Sequence, residues 1–551
     1  MKWARFLEEK GRLAAVLGAL ATWGLLQVFR PHFFLTDDSF SLFFPVWVDF
    51  GRKWFSGGDF FHCEWIFGGH YPLLEDPVFL PLLHPFCLLL SPLAATPWQT
   101  WMVDLVCLGH LILAAWGFEE MVARMRARGW VGVGPGPALI MGWSYTFSMY
   151  SLLLGSSGFW YLANVSALPW LVAGLMEKSR WRAALILALA TFHGLVGGYP
   201  SCFLFTMVGI TAFCVWLSWC DRDVNGLGRG LAGLLAGVLL ALPCLWVPLS
   251  ALGDSVRSGP IPLELAVEGR LPWAVAVSSF FLSSGSILLG SFELFGMAAH
   301  TYALVSCAAS GWFLAASFRD RRGWSAWDAL LGVALAGSLL LVCRPDFLGR
   351  LLGSLPFFSS LRWPHKEVFL VVFIAMVFAL RGGDLSPKTT RLLFFASFLI
   401  FIAPLVLVGP PSLNAHSLSR SLYLDGKAAR WVDEFRKWVP PGVRVASALP
   451  KDRADTTLTD PHVPWILLMS HNFPALWQIP AWGGYSATLP RRIYRRNPGM
   501  IDVYGHVELF DPSTAAADLA IWFLYWDPSQ SGRIFFGSSA STAREIKFLE
   551  P

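Results

Sequence analysis

The chain has 551 residues, of which 55% are hydrophobic and only 14% are charged. Soluble domains carry about 25% charged residues, so this composition excludes an ordinary soluble protein and predicts a multi-pass membrane protein. The formal net charge of +5 is small, and its basic residues lie in short loops, which indicates membrane topology rather than nucleic-acid binding.

The first predicted element is an uncleaved membrane helix over residues 13–30. A charged stretch precedes it, it is about long enough to span a bilayer with a slight tilt, and no A-x-A-like cleavage site follows it. We expect the N-terminus to be cytoplasmic, which makes residues 31–95 the first extracytoplasmic loop.

Within that loop, Thr36–Pro92 is rich in Trp, Phe, Gly and Pro, which predicts a folded segment on the bilayer surface. Aromatic residues between Phe40 and Trp54 recur at roughly helical spacing and predict an interfacial amphipathic helix. Pro45 either begins this helix or kinks it, and Gly57 with the glycine after it ends it.

Apolar segments over residues 1–409 predict about eleven membrane spans. Every basic cluster in a short loop between spans falls on one side, as the positive-inside rule requires, and the odd count places the C-terminus outside. After residue 409 the alternating runs Val443–Leu449 and Leu519–Trp526 predict strands. We therefore expect a helical transmembrane domain over 1–409 and a small extracytoplasmic α/β domain over 410–551.

Asp37 and Asp38 are the candidate catalytic residues, because they stand where the first membrane helix is expected to end. A carboxylate at that depth is desolvated on one side and open to water on the other, which raises its pKa toward that of a general base. The alternative is that one of the pair caps the next helix.

Glu64, Glu75 and Asp76 are candidate acceptor-binding or metal-binding residues of the same loop. With the first pair they offer oxygen ligands to a divalent cation such as Mg²⁺ or Mn²⁺, although their spacing specifies no metal. The alternative for Asp76 is structural, since an Asp-Pro pair often opens a turn or helix. The nine cysteines show neither a CxxC pair nor zinc-like spacing.

Arg362, His365 and Lys366 are the candidate phosphate-binding residues, in LPFFSSLRWPHKEVF just before a predicted span. Arg and Lys at the outer interface are suited to a lipid phosphate, and snorkelling is the alternative. His193, near the outer end of another span, is either functional or packed and hydrogen-bonded. The sequence contains no nucleophile elbow, Walker, HExxH or dinucleotide-binding motif in its required context.

Five segments of the chain, in order, resemble the YfhO-like bacterial membrane protein family. They are DDSFSLFFPVW with FGGHYPLLEDPVFLPLLHP, then GLVGGYPSCFLF, LPFFSSLRWPHKEVFLVV, GGYSATLPRRIY and DLAIWFLYW. The resemblance implies membership of the C-type glycosyltransferase superfamily (GT-C). These polytopic enzymes take sugars from polyprenyl-phosphate carriers and act on the extracytoplasmic face, which implies a location in the bacterial inner membrane. By position, Asp37 or Asp38 matches the family's loop acid, Asp76 its Asp-Pro acid and Arg362 its arginine.

The expected activity is inverting sugar transfer from a polyprenyl-phosphate carrier to a glycan, lipid or protein acceptor. Asp37 or Asp38 would deprotonate the acceptor, and Arg362 with Lys366 would stabilise the departing phosphate. Acceptor binding is expected between the first loop and the C-terminal domain. One alternative is a transporter or flippase for lipid-linked glycans, which inverted repeats or broken helices would support. Another is a non-catalytic GT-C-fold subunit of a membrane complex.

Overall fold

The structure is a computed structural model of the full-length chain. It describes residues 2–66, 69, 71–148, 150–252, 263–267, 270–273, 276, 308–318, 325–355, 364–383, 385–407, 417–437, 444–448, 466, 472–481, 500–503, 506–510, 521–527, 533–538 and 544–546.

Helices make up most of the described residues. The α-helices are α1 Lys2–Phe29, α2 Phe44–Ser56, α3 Pro72–Glu75, α4 Pro85–Leu90, α5 Met102–Ala127, α6 Pro135–Thr146, α7 Gly155–Ser157, α8 Tyr161–Met176, α9 Arg180–Gly197, α10 Pro200–Asp221, α11 Val224–Leu252, α12 Leu263–Ala266, α13 Ala308–Phe318, α14 Ala326–Cys343, α15 Asp346–Gly353, α16 Val368–Leu380, α17 Pro387–Leu407, α18 Ser417–Leu424, α19 Lys427–Arg436 and α20 Phe473–Trp477. Short 3₁₀-helices run over Pro77–Leu83, Ser91–Ala95, Pro97–Trp101 and Pro364–Glu367, and π-helices over Ser39–Phe43 and Tyr150–Leu154.

Five of the described helices are long and apolar enough to cross a membrane: Lys10–Phe29, Pro97–Ala127, Cys202–Asp221, Val224–Ala251 and Ala326–Cys343. A sixth candidate is the pair Pro77–Leu83 and Pro85–Ala95, which is bent by 59° at its break. These helices support the expected class, a helical membrane protein. The count of eleven spans and their orientation stay predictions.

The chain divides into two compact units, each made of separated segments. The first unit contains Met1–Phe34, Asp104–Pro243 and Pro260–Pro411, and the second contains Leu35–Val103, Cys244–Gly259 and Ser412–Pro551. The first loop and the C-terminal region therefore belong to one unit. Their extracytoplasmic location stays a prediction.

Close helix packing builds the first unit. α16 is apolar on all sides and nearly every one of its residues is buried, against α13, α14 and α6. Small residues bring α11 close to α9: a Cβ added at Gly237 would lie 2.4 Å from the Cβ of Thr191. In an interior packed this densely, even a small change in side-chain volume alters the stability of the fold.

The first loop folds around a π-helix and α2 in the second unit. Pro45 stands in the first turn of α2, so of the two alternatives the proline belongs to the helix start. The helix ends at Gly57, whose φ of 74° is the left-handed conformation that glycine adopts without strain. The predicted stop at this glycine is confirmed, and the predicted position in the bilayer interface stays a prediction.

Six strands at the end of the chain form one sheet: β1 Arg444–Ala448, β2 Met500–Val503, β3 His506–Phe510, β4 Ile521–Asp527, β5 Arg533–Ser538 and β6 Arg544–Ile546. Their spatial order is β2-β3-β1-β4-β5-β6. β1 is parallel to both neighbours, with Arg444 opposite Ile521, and the other pairs are antiparallel. β1 lies within the first of the two runs whose alternation predicted strands, and β4 overlaps the second.

Candidate functional site

Asp37 combines burial with an unusual backbone conformation. Its φ is 51°, in the left-handed region, and only 3% of the residue is exposed. Aspartate tolerates this region better than most residues, but the conformation still costs about 1 kcal/mol and persists only where the surrounding fold requires it. The fold therefore fixes the position of this carboxyl group at the entrance of the first loop.

Asp38 stands at the N-terminus of the π-helix Ser39–Phe43 with an ordinary helical φ of −59°. Within the described residues, its side chain does not form the capping hydrogen bond that the structural alternative required. All five residues of the π-helix are buried. Irregular turns of this kind are frequent at functional sites, because they turn side chains to positions that an α-helix does not reach.

A later segment of the second unit holds the π-helix in place. The side-chain amide of Asn472 donates to the carbonyl of Leu42 at 3.0 Å, and the backbone N–H of Asn472 donates to that of Ser41 at 3.3 Å. The ring of Phe40 lies 5.1 Å from that of Phe473 and 5.6 Å from that of Tyr423. The C-terminal region therefore completes the core of the first loop.

The sequence reasoning did not find Asp49 as a site residue. Its carboxylate accepts hydrogen bonds from Lys53 Nζ at 2.8 Å and from Trp65 Nε1 at 2.9 Å, and only 2% of the residue is exposed. Burial raises the pKa of Asp49 above its usual value of 3.8, although Lys53 and Trp65 favour the charged form. Helical periodicity alone gave no signal, because the covering residue, Trp65, belongs to a later segment.

The other acids of the loop have different surroundings. Asp76 is fully buried, and its Oδ1 accepts from the backbone N–H of Val78 at 3.0 Å, so it caps the 3₁₀-helix Pro77–Leu83 as the structural alternative predicted. Glu75 is half-buried at the end of α3, and Glu64 is exposed in a turn. In the part of the chain that the structure describes, no three His, Cys, Asp or Glu side chains are grouped as metal ligands. A bound Mg²⁺ or Mn²⁺ stays a sequence-based prediction.

The predicted phosphate-binding residues lie within the sequence range of the first unit, and the structure describes the side chain of Lys366 among them. Arg362 lies outside the described residues. His365 lies in the 3₁₀-helix Pro364–Glu367, and its side chain is also outside the description. Lys366 is half-buried, and its ammonium lies 4.7 Å from the ring centre of Tyr199 and 5.3 Å from that of Tyr161. Tyr199 and Tyr161 form an aromatic platform for this cation.

Hydrogen bonds fix the backbone beneath the platform. The hydroxyl of Tyr150, the first residue of the second π-helix, donates to the carbonyl of Lys366 at 2.8 Å. Cys202 Sγ approaches the same carbonyl at 3.4 Å, and the amide of Asn164 donates to the carbonyl of Tyr199 at 3.2 Å. The structure thus brings Lys366 to Tyr199 of the GGYP segment, two residues that the sequence reasoning treated separately.

His193 is packed and hydrogen-bonded, as the structural alternative predicted. Its Nε2 lies 2.7 Å from the hydroxyl of Ser166, and its ring lies 5.1 Å from that of His110. Both histidines lie in the first unit, among packed helices.

The candidate residues fall into two groups by unit. Asp37, Asp38, Glu64 and the Glu75–Asp76 pair are in the second unit, and Lys366 is in the first. The sequence reasoning missed the aromatic platform, because only the fold brings Tyr161 and Tyr199 to this lysine.

Comparison of the chain with known protein families, with characterised proteins and with solved structures gave no match. The resemblance to the YfhO-like family, and the sugar-transfer chemistry that it implies, therefore rest on the residues of this chain alone.

Proposed function

We propose that the protein is an inverting membrane glycosyltransferase. Its donor is a sugar on a polyprenyl-phosphate carrier, and its acceptor is a glycan, lipid or protein hydroxyl on the extracytoplasmic face of the bacterial inner membrane. The observation that carries the proposal is the ammonium of Lys366 on the rings of Tyr161 and Tyr199. Aromatic rings orient an ammonium without neutralising its charge, which suits it to an anionic ligand.

The proposed reaction is a single displacement. Asp37 or Asp38 removes the proton of the acceptor hydroxyl, whose oxygen attacks the anomeric carbon of the donor sugar. The bond between that carbon and the phosphate oxygen breaks with its electron pair, and polyprenyl phosphate leaves. Lys366, with Arg362, stabilises the negative charge that develops on the phosphate, where electrostatic stabilisation is most effective. No step uses a metal ion.

The conformation of Asp37 supports its role as the base. A buried carboxyl group held in a left-handed backbone is fixed before any acceptor arrives. Pre-positioned groups lower a barrier because their ordering does not have to occur during the reaction. General base catalysis of this type contributes about 10²–10⁴-fold to a rate.

The direct test is donor cleavage by the purified full-length protein in nanodiscs. Polyprenyl-phosphate sugars of several kinds are added with a cell-envelope extract as the source of acceptors, and mass spectrometry follows the release of polyprenyl phosphate. We expect release from at least one donor, and a loss of about 10²-fold or more in Asp37→Asn or Asp38→Asn. If both variants keep the full rate, the assigned base is wrong.

The same assay tests the platform. Tyr199→Phe keeps a ring under the ammonium and should keep most of the activity, whereas Tyr199→Leu should raise KM for the donor by about 3–30-fold. Lys366→Met removes the cation itself and should raise KM for the donor at least as much as Tyr199→Leu. Lys388→Met, on an exposed part of α17, is the matched control for Lys366→Met and should leave KM unchanged. Equal KM values for Tyr199→Leu and the unmodified protein would remove the platform from donor binding.

A transporter of lipid-linked glycans is the second candidate, favoured by the break in Pro77–Ala95. The two halves of this segment are bent by 59°, and broken helices are common at the binding sites of transporters. Intact movement of the labelled donor across a liposome membrane, without release of polyprenyl phosphate, would establish the transporter and exclude the transferase.

A further inference from the structure

We propose that a cavity in the first unit binds a phosphoethanolamine group, as carried by a zwitterionic phospholipid. The cavity has a volume of about 190 Å³. Its charged lining consists of three cations and three anions: Arg128, Lys178, Arg229, Glu177, Asp221 and Asp223. None of these residues takes part in the proposed sugar transfer, so this inference is independent of that function.

The cavity lies where two pairs of helices turn. Glu177 and Lys178 connect α8 to α9, and Asp223 lies between α10 and α11. Leucine side chains contribute to the apolar part of the lining. Trp181 and Trp219, beside these turns, are 65% and 82% exposed. Exposed tryptophans at the ends of apolar helices are typical of the membrane–water interface, which is the depth of lipid head groups.

Two ion pairs lie in the lining, and the aspartate of each pair is still accessible to a ligand. Arg128 Nη1 lies 2.6 Å from Asp221 Oδ2, and Arg229 Nη2 lies 2.7 Å from Asp223 Oδ2. The side chains of the two aspartates are still 38% and 39% exposed. Asp223 also accepts from the backbone N–H of Gly226 at 2.8 Å. Each carboxylate has two oxygens and about four lone-pair positions, so these contacts leave capacity for a further donor.

Lys178 supplies the additional cation. It is exposed at the cavity, and it forms no ion pair among the described residues. Glu177 is different, because its Oε2 accepts from Arg124 at 2.7 Å. The cavity therefore offers Lys178 and the neighbouring guanidinium groups to a phosphate, and Asp221 and Asp223 to a primary ammonium.

This distribution selects among phospholipid head groups. The ammonium of phosphoethanolamine carries three N–H donors, which match the carboxylate oxygens of Asp221 and Asp223. The trimethylammonium of a choline head group has no N–H donor, and such cations are usually bound by aromatic cages. The phosphate of an anionic phosphoglycerol head group can use the same cations, but its glycerol brings no ammonium to the carboxylates of Asp221 and Asp223.

The test measures which lipids stay bound to the delipidated full-length protein. Dioleoyl phosphatidylethanolamine, phosphatidylcholine and phosphatidylglycerol are offered in equal amounts, and native mass spectrometry counts the retained lipid. We expect retention of phosphatidylethanolamine over each of the others by about 5–10-fold, a ratio typical of one or two partly exposed charge contacts. Equal retention of the three lipids, or preference for phosphatidylglycerol, would overturn the proposal.

Two variants connect the preference to the cavity. Lys178→Met should lower retention of phosphatidylethanolamine by about 3–5-fold, and Lys388→Met is the control for a surface lysine elsewhere. Asp221→Asn with Asp223→Asn should shift the preference toward phosphatidylglycerol, because two repulsive charges are gone. Since Lys178 is exposed, its replacement leaves the fold intact, and an unchanged lipid preference in this variant would refute the assigned site.

A soluble competitor identifies the source of the ligand. O-phosphoethanolamine at millimolar concentration is added to the loaded protein. Displacement of the lipid supports the phosphoethanolamine group itself as the recognised ligand, free or lipid-borne. Retention of the lipid, combined with the loss in Lys178→Met, supports a membrane lipid whose acyl chains contribute to binding.

Discussion

Replacement of Gly198 by alanine tests the packing that holds the aromatic platform. The glycine has an ordinary extended backbone, with φ −101° and ψ 172°, so alanine meets no conformational penalty there. The position has no room for a methyl group. A Cβ at Gly198 would lie 2.1 Å from Oδ1 of Asn164 and 2.4 Å from the carbonyl oxygen of Gly194. Asn164 also donates to the carbonyl of Tyr199 at 3.2 Å, so a displaced amide loses that hydrogen bond.

The cost follows from these two effects. Overpacking of a dense interior costs about 1–3 kcal/mol, and the loss of one buried hydrogen bond costs about 0.5–1.5 kcal/mol. Gly198→Ala should therefore destabilise the first unit by about 1.5–4.5 kcal/mol and lower its Tm by about 2–7 °C. Thermal unfolding of the purified protein in detergent, followed by tryptophan fluorescence, measures the shift.

Gly209→Ala is the matched control, because a Cβ on that residue of α10 meets no atom of the described residues within 4 Å. It should be neutral or stabilising by up to about 1 kcal/mol, since alanine favours helix over glycine. In an Asn164→Ala background the cost of Gly198→Ala should shrink by at least about 0.5 kcal/mol, because the closest oxygen is gone. Equal Tm values for Gly198→Ala and Gly209→Ala would refute the contact with Asn164.

Three further changes test other parts of the structure by thermal unfolding. The unmodified protein should lose stability as pH rises above 3.8, because the raised pKa of Asp49 keeps a proton on the folded carboxyl group that the unfolded chain has already released. Asp49→Asn lacks this loss, so its stability relative to the unmodified protein should increase with pH; the same pH dependence in both proteins would contradict this. Asp76→Ala should lose about 0.5–2 kcal/mol with the helix cap, whereas Asp76→Asn keeps an acceptor and should be nearly neutral; equal losses would exclude the capping role. Arg381 donates to the fully buried Asp328 at 3.1 Å, so Arg381→Met should cost about 3–5 kcal/mol, and adding Asp328→Asn should recover part of that loss; no recovery in the double variant would show that the lost stability does not come from this pair.

The local features of the first loop followed from its sequence. Spaced aromatics predicted the helix, Pro45 marked one possible start, and Gly57 marked its end, because each signal depends on neighbours within one or two turns. The burial of Asp49 did not follow, since Trp65 covers it from a separate segment. The π-helix Ser39–Phe43 has no sequence signature, because it differs from an α-helix only in hydrogen bonds that reach one residue further along the chain.

The candidate phosphate site shows the same division. The sequence identified Lys366 from its place before an apolar run, and it identified GGYP as a separate motif. It did not pair them, because the contacts join residues that are distant in the chain: Cys202, two residues after GGYP, approaches the carbonyl of Lys366 across 164 residues. Without related sequences to compare, local periodicity carries no information on such pairs.

The hydrogen bond between Asn472 and Leu42 spans 430 residues, so it forms only after the ribosome has synthesised the whole stretch between them. A ribosome that adds about 5–20 residues per second needs roughly 20–90 seconds to synthesise that stretch. During this interval Phe40 has neither Tyr423 nor Phe473 to cover it. The newly made loop therefore waits with exposed aromatic rings while later helices are being synthesised, and a membrane surface or a chaperone that shelters those rings would protect the protein from aggregation until its last segment arrives.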